Sequence, residues 1–321
     1  MALRHKKEGS RESSFLQLEP GRVISFPVSP MNARATCARM NVLGIGVSVI
    51  TPPQALEFIL DALESRSRGY ISVTSVHGIM EGQADETFRD ILNGSFLCVP
   101  DGMPLCWMGR LRGHSSIGRV YGPDLMRDVC RASVPRGFRH FFYGGKPGVA
   151  ARLRERLVNQ FPGLKVVGVF EPPFRPLNPL EEKELRAQLE ATRPDMLWVG
   201  LSTPKQEAFM AKYRPMLDVP LMAGVGAAFD IHAGLARQAP AWIRNAGFEW
   251  LFRLCHEPGR LWRRNLNNFG FLPLAACQLS GLRTYGPPGS SSQRSKPVIQ
   301  VELVCDSRSK LSLALTRSPH R

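Results

Sequence analysis

The chain of 321 residues is long enough for one large domain or two small ones, and its 43% hydrophobic and 21% charged residues are typical of a globular protein. Its formal net charge is +15, but residues 1–40 contribute +4 and residues 283–321 contribute +5, so the central part is only moderately basic. A basic balance favours an anionic partner without identifying it, and the absence of a run of about 20 apolar residues excludes a membrane-spanning helix.

The first 40 residues are polar and lack periodicity, which predicts a disordered N-terminal extension. After them, short apolar runs alternate with amphipathic stretches, an order typical of βαβ units. Strands are predicted at residues 41–50 (a strand or a hairpin), 71–76, 96–99, 139–143, 164–170, 195–200 and 220–224. Helices are predicted for a segment opened by Thr51-Pro52-Pro53 and for residues 79–93, 123–132, 147–161, 179–192 and 204–216. Residues 41–238 are therefore expected to form an α/β domain with a mostly parallel, Rossmann-like sheet flanked by helices.

The C-terminal residues 283–321 begin with a linker-like Pro, Gly and Ser run and are predicted to form a disordered tail, in which residues 298–305 could form a strand without an evident partner. The seven cysteines form no C-x-x-C pair, so reduced thiols in a reducing compartment are expected rather than disulfides or a zinc site. Residues 1–17 have no apolar segment, so no signal peptide is expected and the predicted location is cytoplasmic.

Five loops follow predicted strands, at residues 74–77, 101–104, 144–148, 171–175 and 202–206. In an open parallel sheet, ligands bind beyond the carboxyl ends of the strands. In the second of these loops Asp101 follows its strand directly. An Asp-Gly pair alone is a turn signal, but a partly desolvated carboxylate at this position could serve as a general base for a reacting hydroxyl.

The loop with Gly144 and Gly145 leads from a strand into a helix, where backbone N–H groups can approach a phosphate. A plain left-handed turn is the alternative for these glycines. Glu171 follows the next strand and could hold ribose hydroxyls, or it could be a solvated loop acid.

Lys205 and Gln206 lie in the first turn of a predicted helix, where a lysine opposes the helix dipole unless an anion is present. The hydroxyls before them could simply cap the helix, with Glu207 completing a capping box. Arg119 precedes another helix and could clamp a diphosphate. His77 follows a strand, where a structural role is the alternative to a catalytic one. No metal-ligand spacing and no Asp-x-Asp triplet is present, so no cofactor and no metal ion is expected.

Seven ordered segments carry a family resemblance: VTSVHGIMEGQ (73–83), LCVPDGMPL (97–105), GRVYGPDLM (118–126), FFYGGKPGVA (141–150), VGLSTPKQEAFM (199–210), GVGAAFDIHAG (224–234) and APAWIRNAGFEWLFRLCHEPGRLWRR (239–264). Over about residues 40–272 the chain resembles the WecG/TagA/CpsF glycosyltransferases of bacterial polysaccharide biosynthesis. The resemblance implies an inverting transfer from a UDP-sugar to a polyprenyl-diphosphate-linked acceptor. It also implies that Asp101 is the general base, that Arg119 clamps a diphosphate and that Gln206 binds substrate.

One departure concerns the segment after the second predicted strand, where many members of the family have Thr-x-Asn and this chain has Val73-Thr74-Ser75. Thr74, Ser75 and His77 are the candidates to replace those side chains. The departure leaves the donor sugar and the acceptor sugar open.

The resemblance also implies that residues 239–282 form a helical, membrane-binding appendage that completes the site, with Arg253, Arg260 and Arg263 near the lipid diphosphate. Aromatic side chains and arginines without any lysine suit a membrane interface, and a helix pair packed on the core is the alternative. The expected location is the inner face of the cell membrane, without a nucleic-acid partner, and a homo-oligomer is left open. Two other functions are weighed against this one, a nucleotide-sugar oxidoreductase or epimerase and a non-catalytic polyanion-binding protein.

Overall fold

The computed structural model describes residues 37–286, 300–305 and 311–316, with the backbone alone for the last two ranges and for residues 260, 261, 263 and 264. The predicted disorder of residues 1–40 therefore falls mostly outside the described residues. Arg39 and Met40 already belong to the first strand, so the domain begins slightly earlier than the sequence predicted.

The strands are β1 (Arg39–Val42), β2 (Ile45–Ser48), β3 (Gly69–Thr74), β4 (Leu97–Pro100), β5 (Arg139–Gly144), β6 (Lys165–Phe170), β7 (Met196–Gly200), β8 (Leu221–Gly224), β9 (Gln300–Cys305) and β10 (Leu311–Thr316). Six of them form one sheet in the order β4-β3-β8-β7-β5-β6, and every neighbouring pair in it is parallel. The predicted α/β class with its Rossmann-like parallel sheet is confirmed.

The helices are α1 (Pro52–Glu64), α2 (Val76–Ala84), α3 (Glu86–Asn93), α4 (Met103–Leu111), α5 (Gly122–Ser133), α6 (Val149–Gln160), α7 (Pro179–Thr192), α8 (Lys205–Tyr213), α9 (Ala228–His232), α10 (Ala241–Asn245), α11 (Glu249–His256), α12 (Pro258–Phe269) and α13 (Phe271–Leu279). Thr51 caps α1, as predicted for the segment Thr51-Pro52-Pro53, and it also forms a capping box with Gln54.

Two helix predictions need correction. The single helix expected at residues 79–93 is two helices, because Asp85 leaves the helical conformation and its carboxylate accepts a hydrogen bond of 2.8 Å from the N–H of Thr87. The short helices α4 and α9 were not predicted, although Pro104 in the first turn of α4 is a helix-start residue. Both errors concern short helices, which are the ones that periodicity identifies least well.

The sheet is buried on both faces. Alternate strand residues such as Phe142 and Trp198 pack towards α1, α5 and α6, while their neighbours Phe141 and Leu197 pack towards α7 and α8. This two-sided burial explains why the strands appear in the sequence as continuous apolar runs.

The antiparallel β1–β2 hairpin packs in a third apolar cluster with α2, α3, α4 and α13. Phe271 and Ala275 of α13 are buried in that cluster, and the Gln278 side chain accepts a hydrogen bond of 3.0 Å from the N–H of Leu43. The last helix of the predicted appendage is thus attached to the start of the domain.

The strands β9 and β10 pair in antiparallel register, from Gln300 with Thr316 to Cys305 with Leu311. They lie in the segment for which the sequence predicted a disordered tail, and the strand expected at residues 298–305 has β10 as its partner. The other tail residues after 286 lie outside the described ranges.

Candidate active site

The predicted loops are distributed along the carboxyl edge of the sheet in the order of the strands. Asp101 follows the edge strand β4, Ser75 follows β3, and Glu171 follows β6 at the opposite edge. With about 4.8 Å between neighbouring strands, the five spacings from β4 to β6 put Asp101 and Glu171 about 24 Å apart. The candidate residues therefore form two groups, one around Asp101 and one around the end of β5.

A cavity of about 330 Å³ opens at Asp101. Among the predicted site residues, it is lined by Ser75, His77, Asp101, Arg119 and Arg253. Helices α11, α12 and α13 supply its other wall, with Glu249, Trp250, Asn265, Phe271 and Leu272 among the lining residues. A larger groove of about 650 Å³ lies between α5, α6 and α9 and holds none of the predicted site residues.

The Asp101 side chain is 25% exposed and lines this cavity. Its backbone N–H donates to the Thr74 carbonyl at 2.8 Å, which fixes the residue at the end of β4 beside β3. Burial raises the pKa of Asp101 to about 7, and the nearby Glu249 carboxylate acts in the same direction while Arg119 and Arg253 oppose it. A carboxylate with a pKa near neutrality suits a general base.

Arg119 connects Asp101 to the appendage. Its Nη2 donates to Asp101 Oδ1 at 3.4 Å and, in a closer contact, to Glu249 Oε2, and its Nε donates to the Asp101 carbonyl. Its Nη1 donates to the Arg244 carbonyl at 3.2 Å. The guanidinium also lies over the ring of Tyr121, with 4.6 Å to the centroid. The candidate diphosphate clamp is thus at the cavity, with most of its donors engaged by the protein.

The three candidates after β3 take different positions. Ser75 and His77 line the cavity, and His77 Nδ1 is 3.6 Å from Glu81 Oε1 one turn along α2. Thr74 is buried, and its Oγ1 accepts a hydrogen bond of 3.3 Å from Cys98 Sγ. Ser75 and His77 therefore reach the site, whereas Thr74 points into the protein.

The second group lies at the ends of the neighbouring strands β5 and β7. The helix after β5, α6, and the helix after β7, α8, pack on opposite faces of the sheet. Open α/β sheets bind nucleotides at such a position. Gly144 has φ of +125°, and a Cβ atom there would lie 2.7 Å from the Gly200 carbonyl oxygen. The Gly145 N–H donates to the same oxygen at 3.1 Å. Gly144 is thus required by the close approach of two strand ends, and a Cβ at Gly145 would lie 2.9 Å from Val149 Cβ in α6.

Glu171 has a role that neither interpretation of its sequence included. Its carboxylate accepts hydrogen bonds from the N–H groups of Gly148 at 2.8 Å and Ala150 at 3.0 Å, so it caps α6. The donors at this helix terminus, which the sequence suggested for a phosphate, are occupied by a carboxylate of the chain.

The helix α8 begins after Pro204, without a side-chain cap, so the capping box considered for this segment does not form. Instead, the buried Glu207 carboxylate accepts from Thr203 Oγ1 at 2.9 Å and from Gln206 Nε2 at 3.0 Å. Gln206 is itself buried beneath the strand ends, and Lys205 lies at the surface with Nζ 5.4 Å from the centroid of the Phe174 ring.

Of the three appendage arginines, Arg253 lines the cavity. Arg260 and Arg263 belong to α12, but their side chains lie outside the described part of the chain. Within the described residues, no group of three His, Cys, Asp or Glu side chains could hold a metal ion. Searched over the same residues, no helix is long and apolar enough to cross a membrane.

Glu249 is the functional candidate that the sequence did not reveal. It is 8% exposed and contacts Arg119, from the first turn of α11. Its segment was recognised as a motif, and an acid between aromatic residues in a basic segment was the available signal. The contact itself depends on α11 folding back over β4, which no local pattern predicts.

Comparison with known proteins identifies the family. The glycosyl transferase WecG/TagA/CpsF family model matches residues 40–284. A relative from Bacillus spizizenii, named N-acetylglucosaminyldiphosphoundecaprenol N-acetyl-beta-D-mannosaminyltransferase, is 29% identical over 203 residues, which cover 63% of this chain and 77% of the relative. A relative of the same name from Bacillus subtilis is 29% identical over 184 residues, which cover 57% of this chain and 69% of the relative. Because the family model covers most of the chain, as the seven motifs predicted, the protein belongs to the WecG/TagA/CpsF family and is a glycosyltransferase.

Proposed function

We propose that the protein transfers a sugar from a UDP-sugar to the hydroxyl of a polyprenyl-diphosphate-linked acceptor sugar, with inversion at the anomeric carbon. The observation that carries this proposal is the position of Asp101, a carboxylate with a pKa of about 7 in a cavity that residues of the appendage also line. The names of the two Bacillus relatives, which specify an undecaprenyl-diphosphate-linked acceptor, support the substrate class.

In the proposed reaction, the hydroxyl oxygen of the acceptor attacks the anomeric carbon of the donor, and Asp101 accepts the proton of that hydroxyl. The bond between that carbon and the UDP oxygen breaks on the opposite face, and the electron pair leaves with UDP. A single displacement of this kind inverts the configuration. Arg253 in the cavity and Lys205 at the start of α8, the helix that follows β7, are two cations proposed to bind the diphosphate, beside the candidate clamp Arg119.

The donor nucleotide is proposed to lie at the crevice between β5 and β7, next to Gly144 and Gly145, with its sugar directed towards Asp101. Three strand spacings separate β7 from β4, which is about 14 Å. Ser75 and His77 border the sugar-side cavity and are the candidates for contacts with the donor or acceptor sugar. Gln206 packs against the end of β8, the neighbour of β7, since its Cδ would lie 2.9 Å from a Cβ at Gly224.

The acceptor is proposed to reach the cavity from the inner face of the cell membrane. Large apolar side chains of the appendage are exposed, and two of them, Trp250 and Leu272, line the cavity. The others include Trp242, Trp262 and Leu266. Such side chains insert into the headgroup region, and arginines among them add attraction to anionic lipid. Phe271 and Ala275 on α13 instead pack on the domain, so the core-packing alternative describes part of the same segment.

The alternative of a nucleotide-sugar oxidoreductase or epimerase relied on Glu171 as a ribose ligand, and that carboxylate is engaged with the N-terminus of α6. The alternative of a polyanion-binding protein relied on the net charge, of which the tails carry the larger part. Neither alternative accounts for the cavity at Asp101.

The test is a UDP-release assay with the full chain, vesicles containing polyprenyl-diphosphate-linked N-acetylglucosamine and a panel of UDP-sugars. Release that requires both substrates is expected, with a product of inverted anomeric configuration by NMR and a rate unaffected by EDTA. Asp101→Asn should keep the fold and lose about 10²- to 10⁴-fold in rate. Wild-type turnover by Asp101→Asn, or retention of configuration, would contradict the proposed mechanism, and no release with any donor would contradict the proposed reaction.

A further inference from the structure

One guanidinium stands between two carboxylates at the cavity. Arg119 Nη2 contacts Glu249 Oε2 more closely than it contacts Asp101 Oδ1, which lies at 3.4 Å. Its remaining donors reach the carbonyls of Asp101 and Arg244, and its face covers Tyr121. The closer ionic contact of the guanidinium is therefore with Glu249, and not with the carboxylate proposed as the base.

Glu249 is well placed to hold the Arg119 guanidinium. Its side chain is 11% exposed, it is paired with Arg119, and it lies in the first turn of α11, where the helix dipole favours a negative charge. A charge this well compensated competes with Asp101 for the guanidinium. If Glu249 were neutral, Arg119 could turn both Nη groups to Asp101 and form the bidentate pair that arginine prefers with a carboxylate.

We propose that Glu249 is a positioning residue of this site, whose carboxylate holds the Arg119 guanidinium away from a bidentate pair with Asp101 and so leaves an Asp101 oxygen free to accept a proton. This inference rests on the proposed function in taking Asp101 as the base. It adds a role for a residue of α11 that does not itself react.

The charged and titratable groups facing Asp101 come from several elements: Arg119 and Tyr121 before α5, Cys106 on α4, His77 on α2, and Glu249 and Arg253 on α11. Among the groups that act on its pKa, Arg119 and Arg253 lower it and Glu249 raises it. Removal of the Glu249 charge lowers the pKa of Asp101 directly, and a shift of Arg119 towards Asp101 lowers it further. Both effects have the same sign.

The first test measures the titration of the Asp101 carboxyl without substrate, by infrared difference spectroscopy on the full chain, with Asp101→Asn to identify the band. The wild-type midpoint is expected near 7, and Glu249→Gln should lower it by about one pH unit or more. Glu249→Asp, which keeps the charge but withdraws it from Arg119 by one methylene, should give a midpoint between those of the wild type and Glu249→Gln. Glu190→Gln, at an exposed acid on α7, is the matched control and should leave the midpoint unchanged.

An unchanged or raised midpoint in Glu249→Gln would overturn the inference. If Glu249→Gln does not fold, Glu249→Asp is the deciding variant, because its carboxylate is one methylene further from Arg119. The Asp101 midpoint is then expected below that of the wild type. A midpoint equal to that of the wild type would contradict the positioning role.

A kinetic test separates this inference from the proposed function. In Glu249→Gln the acid limb of kcat/KM should move to lower pH and the plateau should fall about threefold to tenfold, since a weaker base transfers the proton less efficiently. A purely structural role would lower the plateau without moving the limb. Full activity of Asp101→Asn would refute the proposed function. If Asp101→Asn is inactive but the acid limb of kcat/KM does not move in Glu249→Gln, only the positioning role is refuted.

Discussion

The carboxylate of Glu171 accepts a hydrogen bond of 2.8 Å from the backbone N–H of Gly148, which is the residue before the first turn of α6. A carboxylate of the chain thus occupies the helix terminus that follows the Gly144–Gly145 turn. The negative charge compensates the helix dipole and satisfies amide groups that would otherwise need water or a ligand.

Loss of this cap should affect stability more than catalysis. Glu171→Ala is expected to lower the free energy of unfolding by about 1–2 kcal/mol, measured by urea denaturation, with little change in KM for the donor. Glu190→Ala on the exposed face of α7 is the control. A large rise in KM with unchanged stability would instead assign Glu171 to the donor.

The raised pKa of Asp101 has a consequence for stability that needs no substrate. The folded-state pKa of about 7 lies above the ordinary value of 3.8. Protonation of Asp101 therefore stabilises the folded state fully below pH 3.8, and this stabilisation is lost as the pH rises through the folded-state pKa of about 7. Asp101→Asn, which cannot ionise, should unfold at a higher temperature than the wild type at pH 8, and the difference should shrink towards pH 4. A difference independent of pH, in calorimetric scans, would contradict the raised pKa.

The exposed apolar side chains of the appendage should determine membrane binding. Trp242→Ala combined with Leu266→Ala is expected to weaken binding to vesicles with anionic lipid by about tenfold or more, measured by co-sedimentation. Phe174→Ala is the matched control, because Phe174 is 85% exposed but belongs to the loop after β6. Equal losses in both variants would show that the appendage is not the membrane-binding surface.

The turn after β5 should tolerate no side chain. Gly144→Ala combines an unfavourable φ with a Cβ position 2.7 Å from the Gly200 carbonyl oxygen, whereas Gly113 has φ of +88° and open space around it. Gly113→Ala should cost about 1–2 kcal/mol from the backbone alone. Gly144→Ala should cost at least about 3 kcal/mol, because two strand ends must also separate. Similar losses in the two variants would show that the close approach to Gly200 is unimportant.

Much of the fold was predictable because its determinants are local. The apolar runs of β5 and β7, the Thr51 capping box and the prolines that open several helices all act within a few residues. The order of the strands is not local, since it depends on which crossover packs on which face. The sequence therefore placed Asp101 and Glu171 on the same edge but could not tell that they stand at opposite ends of it.

The candidate site divides in the same way. Asp101 and Arg119 were identified from strand ends and motifs, and the structure brings them together. Thr74 was a reasonable candidate by position, but the side chain after a strand can point either way, and here it bonds to Cys98. Glu249 escaped prediction because its contact joins residues 130 positions apart in the chain.

The attachment of α13 by Gln278 and Phe271 determines how the cavity wall can move. The chain between β8 and α13 is fixed at both ends, so helices α11 and α12 belong to a closed loop rather than a free arm. A loop with anchored ends loses contact with the cavity at a modest entropic cost and regains it quickly. The chain connections therefore keep Glu249 at a high effective concentration near Arg119.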